Sequence, residues 1–321
     1  MIKLTKRIAA AVLCLWLLPL TAQAKELIPV GQVVGLELQS GSVTVEGFDT
    51  ELGAAAKEAG LREGDILQKI NGQPVRCADD VRQALQKSSG TVTVVYSRGG
   101  KTGSCRMTPH ITANGPKLGV YLRQGITGIG TVTWYDPETG MFATLGHGVS
   151  GSDGSLVSMT DGSAYPARIM KVKRGMSGAP GQLVGSIAGD RPVGSLTKNT
   201  ARGVFGKTDS AWDMPPMEVA QAGEIRTGKA TILSTVDDGG VREYSVEILK
   251  IYPKSRQNGR NMLIRVTDAA LLECTGGIVQ GMSGSPIIQD GKLVGAVTHV
   301  LVNDPTTGYG IFIENMLDAA A

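Results

Sequence analysis

Apolar and polar residues alternate along the first third of the chain in a pattern that predicts short strands and helices. Residues 33–38 and 42–48 alternate with the two-residue period of a strand that buries one face. Residues 50–59 have the apolar spacing of a short helix, and residues 66–70 return to a strand after a glycine-containing turn. This order indicates a small unit that mixes strands and helices.

A second helix and a closing strand complete this unit. Residues 78–86 have helical spacing, with Val81 and Leu85 on one face, and residues 91–97 alternate as a strand. Residues 109–116 contain Gly, Pro and Asn, which is typical of a linker. We therefore assign residues 25–108 to an α/β module and residues 109–116 to the connection that follows it.

The remainder of the chain, residues 117–321, predicts a unit built almost entirely of strands. Short apolar segments recur there and are separated by Gly or Asp-Gly turns. The predicted strands are residues 118–122, 130–134, 141–145, 169–172, 203–205, 230–234, 244–252, 262–266, 286–288, 293–302 and 309–313. Their regular spacing favours a barrel or a sandwich.

Composition and charge agree with a mainly β protein that does not bind nucleic acid. The chain has 44 glycines and only 4% aromatic residues, which is typical of many short strands joined by tight turns. Its 32 basic and 29 acidic residues are scattered and leave a net charge of +3. Because no run of like charges could follow a phosphate backbone, we expect no nucleic-acid partner.

The first 24 residues have the features of an export signal. Three basic residues precede an apolar stretch over residues 8–20, and Ala22 and Ala24 supply small residues for cleavage. Cleavage after Ala24 is the favoured interpretation, and an uncleaved anchor is the alternative. No later stretch is long and apolar enough to span a bilayer, so we expect the remainder to act outside the cytoplasm.

Outside this signal the chain has three cysteines, which do not predict a metal site. Cys77, Cys105 and Cys274 show no spacing typical of metal ligands. Cys77 and Cys105 could pair after export or remain free thiols, and both alternatives stay open.

One glycine-rich segment carries the strongest chemical signal. Residues 280–286 read QGMSGSP, with Ser283 between flanking glycines. A serine hydroxyl attacks a carbonyl only when a base takes its proton, and flanking glycines let backbone N–H groups turn toward the oxyanion that forms. The segment resembles the nucleophile loop of chymotrypsin-like peptidases. The resemblance implies that Ser283 is the nucleophile and that the amides of Gly281 and Ser283 form the oxyanion hole.

Only three histidines could supply the base, His110, His147 and His299. His147 follows an apolar strand, which is where the chymotrypsin-like family keeps its general base, whereas His110 falls in the predicted linker. By the same resemblance, Thr298 and His299 belong to the strand that lines the substrate pocket. A packed structural imidazole is the other interpretation of His299.

A carboxylate that orients the base is harder to identify. Asp268 is the preferred candidate, although it lies only 15 residues before Ser283, closer than most chymotrypsin-like peptidases place their acid. Asp161 and Asp153 are substitutes. The assignment requires the chain around Asp268 to lie beside the His147 loop.

The α/β module resembles a PDZ domain. Residues 59–75 match the central stretch of that family, including Gly60, Gly64, Asp65 and Asn71-Gly72. In PDZ domains a loop binds a peptide's C-terminal carboxylate and the peptide adds a strand to the sheet. The resemblance places this loop at Val33, Val34, Gly35 and Leu36, and the groove beside the helix of residues 79–86. The alternative is a module that only packs on its neighbour.

Beyond these motifs, most of the chain is similar to the stage IV sporulation protein B family of PDZ-containing serine peptidases. The similarity rests on residues 128–133, 143–147, 178–181, 203–206, 281–286, 297–300 and 303–310. It implies a mainly β fold in which a PDZ-like module precedes a chymotrypsin-like double β-barrel, and a triad of His147, Asp268 and Ser283. It also implies an exported endopeptidase that cleaves itself and then a membrane-bound regulator of an intramembrane protease, in the space between the two forespore membranes.

Other catalytic signatures are missing from the chain. It has no HExxH, GxxxxGK[ST] or GxSxG motif, so no cofactor or metal is expected. Residues 174–180 read RGMSGAP and imitate the nucleophile loop, but Ser177 lacks the hairpin and closing strand that wall a pocket. Two rival functions remain: a catalytically silent binding protein that acts through its PDZ module, and a general secreted protease.

Overall fold

The structure, a computed structural model, describes residues 25–151, 154–210, 212–254 and 259–321. The predicted export signal and Asp153 lie outside these residues. In the described ranges, no helix has the length and apolar character needed to cross a membrane.

Strands make up most of the described chain. The strands are β1 (Glu26–Pro29), β2 (Val33–Phe48), β3 (Ile66–Ile70), β4 (Gln73–Pro74), β5 (Val92–Arg98), β6 (Lys101–Met107), β7 (His110–Thr112), β8 (Gly115–Lys117), β9 (Val120–Asp136), β10 (Met141–Thr144), β11 (Asp161–Lys173), β12 (Gln182–Ile187), β13 (Gly194–Thr200), β14 (Gly203–Lys207), β15 (Met217–Glu218), β16 (Gly228–Ser234), β17 (Arg242–Ile251), β18 (Met262–Val266), β19 (Pro286–Gln289), β20 (Lys292–Leu301) and β21 (Asp304–Phe312). The helices are α1 (Ala54–Glu58), α2 (Ala78–Gln86), α3 (Ala269–Thr275) and α4 (Ile313–Ala320).

Two antiparallel barrels form the larger unit. The first closes in the order β9, β10, β14, β13, β11 and β2, because β2 also pairs with β9. The second closes in the order β16, β17, β18, β21, β20 and β19. Inward-facing apolar side chains fill each barrel, for example Val34 and Leu36 in the first and Ile232 and Ile264 in the second. The predicted chymotrypsin-like double barrel is therefore confirmed.

A further apolar cluster joins the two barrels. Leu27, Trp134 and Phe205 of the first barrel pack with Ile311 of the second and with Met316 of α4. All five side chains are fully buried or nearly so. The cleft between the barrels is consequently held by a continuous apolar contact rather than by a flexible connection.

The PDZ-like unit extends from the first barrel. The second half of β2 pairs with β3 and with the beginning of β9, and β3 continues the sheet through β5 and β6. Helices α1 and α2 cover a core that includes Leu67, Val81 and Val92. Asp65 is fully buried and is paired with Arg98 at 2.6 Å. This pair ties the turn before β3 to the end of β5.

The first strands of the chain belong to the barrel, not to the PDZ-like unit as the sequence division at residue 108 implies. β1 pairs with β9, and residues 33–38 of β2 lie between β9 and β11. The PDZ-like unit is therefore an insertion, and β2 and β9 are single long strands that pass from it into the barrel. Burying both faces of the Val33–Leu38 segment is more favourable than leaving it at the edge of a small sheet.

This placement also corrects the predicted peptide-binding loop. Val33, Val34, Gly35 and Leu36 are not in a loop, because each pairs with a residue of β9. Three of them are also paired with β11. The side chains of Val34 and Leu36 are buried in the first barrel, and that of Val33 is buried against the core of the second. Their backbone is occupied by the barrel and is not available to bind a peptide carboxylate. The resemblance misplaced the loop because β2 enters the PDZ-like sheet only in its second half, after these residues.

Candidate active site

A cleft of about 440 Å³ separates the two barrels and holds the predicted nucleophile and base. Ser283 and His147 both line it, together with Gly281, Thr298 and His299. Apolar side chains of the first barrel, among them Leu36, Leu38 and Ile129, also line the cleft. The cleft thus combines a few polar groups with an apolar lining, as substrate sites commonly do.

The turn that presents His147 has an unusual backbone. Leu145 and Gly146 both have left-handed backbone angles, with φ of 69° and 68°. A β carbon at Gly146 would crowd the Thr298 side chain at 2.9 Å. Leucine rarely adopts this conformation, so tertiary contacts must impose it. The turn ends β10 sharply and directs the imidazole into the cleft.

The His147 imidazole is held in one tautomer. Its Nδ1 donates to the carbonyl of Gly148 at 2.9 Å, and a carbonyl can only accept, so Nδ1 carries the proton. Nε2 is then left with a free lone pair, which is the state of a general base. Burial lowers the pKa of His147, and the bond to Gly148 opposes part of this effect. The imidazole is therefore neutral at neutral pH.

The hydroxyl of Ser283 is bonded to a neighbouring strand. Its Oγ donates to the carbonyl of Thr298 at 2.7 Å. The imidazole ring of His299, the next residue, lies 5.2 Å from that of His147, centroid to centroid. Attack on a substrate would require the hydroxyl to exchange its bond to Thr298 for one to His147, which lines the same cleft.

Two backbone amides of the nucleophile loop have no acceptor. In the described part of the chain, the N–H groups of Gly281 and Ser283 donate to no protein group, while those of Met282 and Gly284 are bonded. Gly281 has a φ of 100° and Gly284 a φ of 97°, and a β carbon at Gly284 would collide with the Thr131 carbonyl. Unbonded amides flanking a serine hydroxyl are the donors that an oxyanion needs.

Thr131 fixes this loop, and sequence reasoning did not single it out. Its N–H donates to the Ser283 carbonyl at 3.0 Å and its Oγ1 to the Gly281 carbonyl at 2.8 Å. Its own carbonyl accepts from Leu145, in the turn that presents His147. One buried threonine of β9 therefore connects the nucleophile loop to the base. In the sequence, Thr131 is a polar residue of an alternating strand, and this pattern does not indicate that it connects two loops of the site.

Asp268 does not approach His147, which corrects the predicted triad acid. It is the N-cap of α3: its carboxylate accepts from Leu271 N–H at 3.0 Å and from Ser245 N–H at 3.3 Å. Asp161 begins β11 and accepts from Gly162 N–H. Neither aspartate lines the cleft. The preference of aspartate for helix N-termini explains why Asp268 lies where it does.

An asparagine stands beside the His147 loop instead. Asn199, at the end of β13, accepts from Val149 N–H at 2.9 Å and donates to the carbonyls of Val149 and Val157 at 2.8 and 2.9 Å. No carboxylate of the described chain forms an ion pair with His147. The Gly148 carbonyl, in a segment held by Asn199, therefore occupies the position that an orienting acid would take.

The second serine loop lies apart from the cleft. Ser177 Oγ donates to the Asn303 carbonyl at 2.9 Å, and Gly178 N–H donates to the Val302 carbonyl. Neither Ser177 nor its neighbours line the cleft. The loop packs against the turn between β20 and β21, a structural contact.

Three cysteines lie in the described part of the chain. Cys77, Cys105 and Cys274 are free thiols in the structure, and Cys77 lies at the N-cap of α2. Among the described residues, no group of three or more His, Cys, Asp or Glu side chains could hold a metal ion.

Two family profiles match the chain. The SpoIVB peptidase S55 profile matches residues 114–317, and a PDZ domain profile matches residues 51–98. The first covers more than half of the chain. Both lie where the structure has the barrels and the PDZ-like unit.

Individual proteins are similar over shorter stretches or at lower identity. Serine protease HTR4 of Rattus norvegicus is 39% identical over 64 residues, which is 20% of this chain and 13% of that protein. Serine protease HTRA1 of Xenopus tropicalis is 41% identical over 54 residues, or 17% of this chain and 12% of that protein. The chain thus spans only a small part of these curated relatives.

Two solved protease structures are similar to part of the chain. The active form of Rv3671c protease from M. tuberculosis is 18% identical, with a TM-score of 0.36, over 61% of this chain and 73% of that one. The HtrA-type protease AlgW with decapeptide is 13% identical, with a TM-score of 0.37, over 62% of this chain and 53% of that one.

Proposed function

This chain belongs to the SpoIVB peptidase S55 family, and from that membership we propose that it is an exported serine endopeptidase of sporulation signalling. Serine endopeptidase with a PDZ domain is the class that the family supports. The observation that supports this site most directly is the shared cleft, in which Ser283, a tautomer-fixed His147 and two unbonded amides meet.

In the proposed reaction, Ser283 attacks the carbonyl of the scissile peptide bond. His147 Nε2 takes the hydroxyl proton and later donates it to the leaving amine. The N–H groups of Gly281 and Ser283 bind the oxyanion of the tetrahedral intermediate. In deacylation, water attacks the acyl carbonyl as His147 takes its proton. The bond from the carbonyl carbon to Ser283 Oγ then breaks, the carboxylic acid product leaves, and His147 returns the proton to Ser283 Oγ.

The Gly148 carbonyl assists by keeping the proton on Nδ1 of His147. When His147 becomes an imidazolium, the same bond becomes charge-assisted and stabilises the positive charge. A carbonyl supplies less stabilisation than a carboxylate, so the resting arrangement is a weak form of the usual triad.

The cellular role is proposed from the family and from the first 24 residues. The family name supports sporulation, and the basic and apolar pattern of residues 1–24 supports export or anchoring. We propose export from the forespore into the space between its two membranes, self-cleavage there, and cleavage of a membrane-bound regulator that restrains an intramembrane protease. The released protease would then activate the late mother-cell sigma factor.

The PDZ unit is proposed to bind a peptide end at β9 rather than at β2. Residues 120–124 of β9 pair with β2 on one side and with no strand of the described chain on the other. Gln124 accepts a bond from Ala78 N–H, at the start of α2, so this free edge faces the helix that borders a PDZ groove. An added peptide strand fits such an edge.

Substitutions of the cleft residues test the proposed chemistry. Ser283→Ala and His147→Ala should each abolish self-processing and cleavage of a partner, and to the same residual level, because nucleophile and base act as a unit. Ser177→Ala is the matched control and should process normally. Mass spectrometry of the purified chain and a single-turnover peptide assay provide the readout.

The rival functions predict different results. Unchanged processing in Ser283→Ala would leave a binding protein that acts through its PDZ unit. Activity of the wild-type chain on unstructured proteins in vegetative cells would instead support a general secreted protease.

A further inference from the structure

Four side chains form a row that leads away from the catalytic pair. His299 lies 5.2 Å from His147, ring centroid to ring centroid. His299 pairs across the strands with Tyr309, so the two side chains share one face of the second barrel. The guanidinium of Arg260 lies over the Tyr309 ring, 5.1 Å from its centroid. The row therefore runs from His147 through His299 and Tyr309 to Arg260.

Two nitrogen atoms in this row lack a partner among the residues that the structure describes. His299 Nδ1 and Arg260 Nε are both buried, and no described residue forms a hydrogen bond with either of them. A buried polar atom without a partner is costly and uncommon in native proteins. His299 and Arg260 are only half-buried as residues, so their other atoms reach the surface. Both nitrogen atoms are therefore without a partner in the described ranges.

The charge of this region is also uncompensated. No carboxylate of the described chain forms an ion pair with Arg260. Burial is the main cause that lowers the pKa of His299 to about 4, and His147 and Arg260 lower it further. Both imidazoles are therefore neutral at neutral pH, and Arg260 carries the positive charge of the row.

We propose that His299 and Arg260 form a subsite for a carboxylate of the bound peptide, next to the scissile bond. The proposal rests on the peptidase function proposed above and adds a substrate class to it. The carboxylate belongs to an aspartate or glutamate side chain within about two residues of the cut, or to a free C-terminus. Stacking on Tyr309 restrains the guanidinium and leaves its terminal N–H groups as donors for the anion.

Selectivity is measured first with an unbiased probe. An equimolar library of random decapeptides is incubated with the full chain and with Ser283→Ala, and cut sites are read by mass spectrometry. Asp and Glu should be enriched within two positions of the cut. Wild-type cleavage without this enrichment overturns the subsite but leaves the peptidase function standing, whereas equal cleavage by Ser283→Ala overturns the peptidase function itself.

The residues are then tested with matched peptides that differ only at one position. The best sequence is made with Glu or Gln at the enriched position, and with a free or an amidated C-terminus. We expect kcat/KM to be at least about tenfold higher for Glu, the size of one charge-assisted hydrogen bond. If kcat/KM instead depends on whether the C-terminus is free or amidated, the subsite binds the carboxylate of a peptide C-terminus.

Variants of Arg260 separate the subsite from general stability. Arg260→Gln should bring the ratio of kcat/KM for the Glu peptide to that for the Gln peptide close to one, and Arg260→Lys should retain part of the preference. Arg106→Gln, on exposed β6, is the control. The same Glu-to-Gln ratio in wild type and Arg260→Gln overturns the proposal, because a fold defect would lower both rates together.

Discussion

At the scale of single residues, the catalytic proposal depends on how one imidazole is held. His147 owes its tautomer to the Gly148 carbonyl and its lowered pKa mainly to burial. Thr131 sets the nucleophile loop against the turn that carries this histidine. Base and nucleophile come from different barrels, so their alignment depends on such bridging residues more than on local sequence.

The pH dependence of catalysis follows from the state of His147. Only the neutral imidazole can take the Ser283 proton, and its pKa is lowered from the ordinary value of 6.5. Activity should therefore persist as pH falls through 6.5 and decline only below it, as the imidazole becomes protonated. The acid limb of kcat/KM against pH gives the measurement, and a midpoint above 7 would contradict the burial of this ring.

Asn199 is expected to position the base without touching substrate. Asn199→Ala removes its bonds to Val149 and Val157 and should lower kcat by about tenfold to a hundredfold, because small displacements of catalytic groups are costly. KM should change less, and the acid limb of the pH profile should move. Stopped assays across pH, with thermal melting as the folding control, measure these effects.

An aspartate at this position distinguishes positioning from charge. Asn199→Asp keeps the acceptor for Val149 N–H but loses both donors and sets an anion against two carbonyls. We expect it to be no more active than Asn199→Ala. A gain in activity would show that the site lacks only a carboxylate, contrary to the role assigned to Asn199.

At the scale of elements, buried polar pairs and long strands set the architecture. β2 and β9 each belong both to the first barrel and to the sheet of the PDZ unit. A β-bulge between Leu38 and Val43 marks the point at which β2 passes from the barrel to that sheet. Within the PDZ unit, the turn before β3 depends on Asp65, whose carboxylate accepts from Arg62 N–H as well as pairing with Arg98.

Removing one partner of this buried pair should destabilise the PDZ unit. Arg98→Ala leaves the fully buried Asp65 carboxylate without its ion pair and should cost about 3 kcal/mol of local stability. Arg82→Ala is the control, since its pair with Asp79 is exposed and should cost less than about 1 kcal/mol. Hydrogen exchange of the backbone amides of β3 and β5 measures the loss of local stability in each variant. Equal losses in Arg98→Ala and Arg82→Ala would contradict the role of burial.

At the scale of the whole molecule, the PDZ unit is an insertion between two strands of one barrel. Leu38 pairs with Ile126 where β2 and β9 enter the barrel, which places the next residues, Gln39 and Gly125, at the mouth of a hairpin. Replacing residues 40–124 by Asn-Gly should therefore close a two-residue turn and leave both barrels folded.

The complementary truncation should fail to fold. Residues 117–321 alone lack β1 and the barrel part of β2, so β9 and β11 would each lose a partner strand. We expect a soluble, cooperatively melting protein from the excision and aggregation from the truncation. Size-exclusion chromatography and circular dichroism decide between them, and a folded truncation would contradict the shared barrel.

The sequence by itself determined the fold class, the two recognisable units and the loop that carries Ser283. These depend on local properties: the two-residue period of strands, glycines where φ must be positive, and motifs of adjacent residues. Tertiary structure alone decided that residues 33–38 serve the barrel, that Asp268 caps a helix, and that Thr131 and Asn199 hold the site. Thr131 and Asn199 join segments that lie 150 and 50 residues apart, and contacts over such distances leave no mark in local sequence. Asp268 caps its helix through a contact three residues away, but only the tertiary structure places that helix away from the cleft.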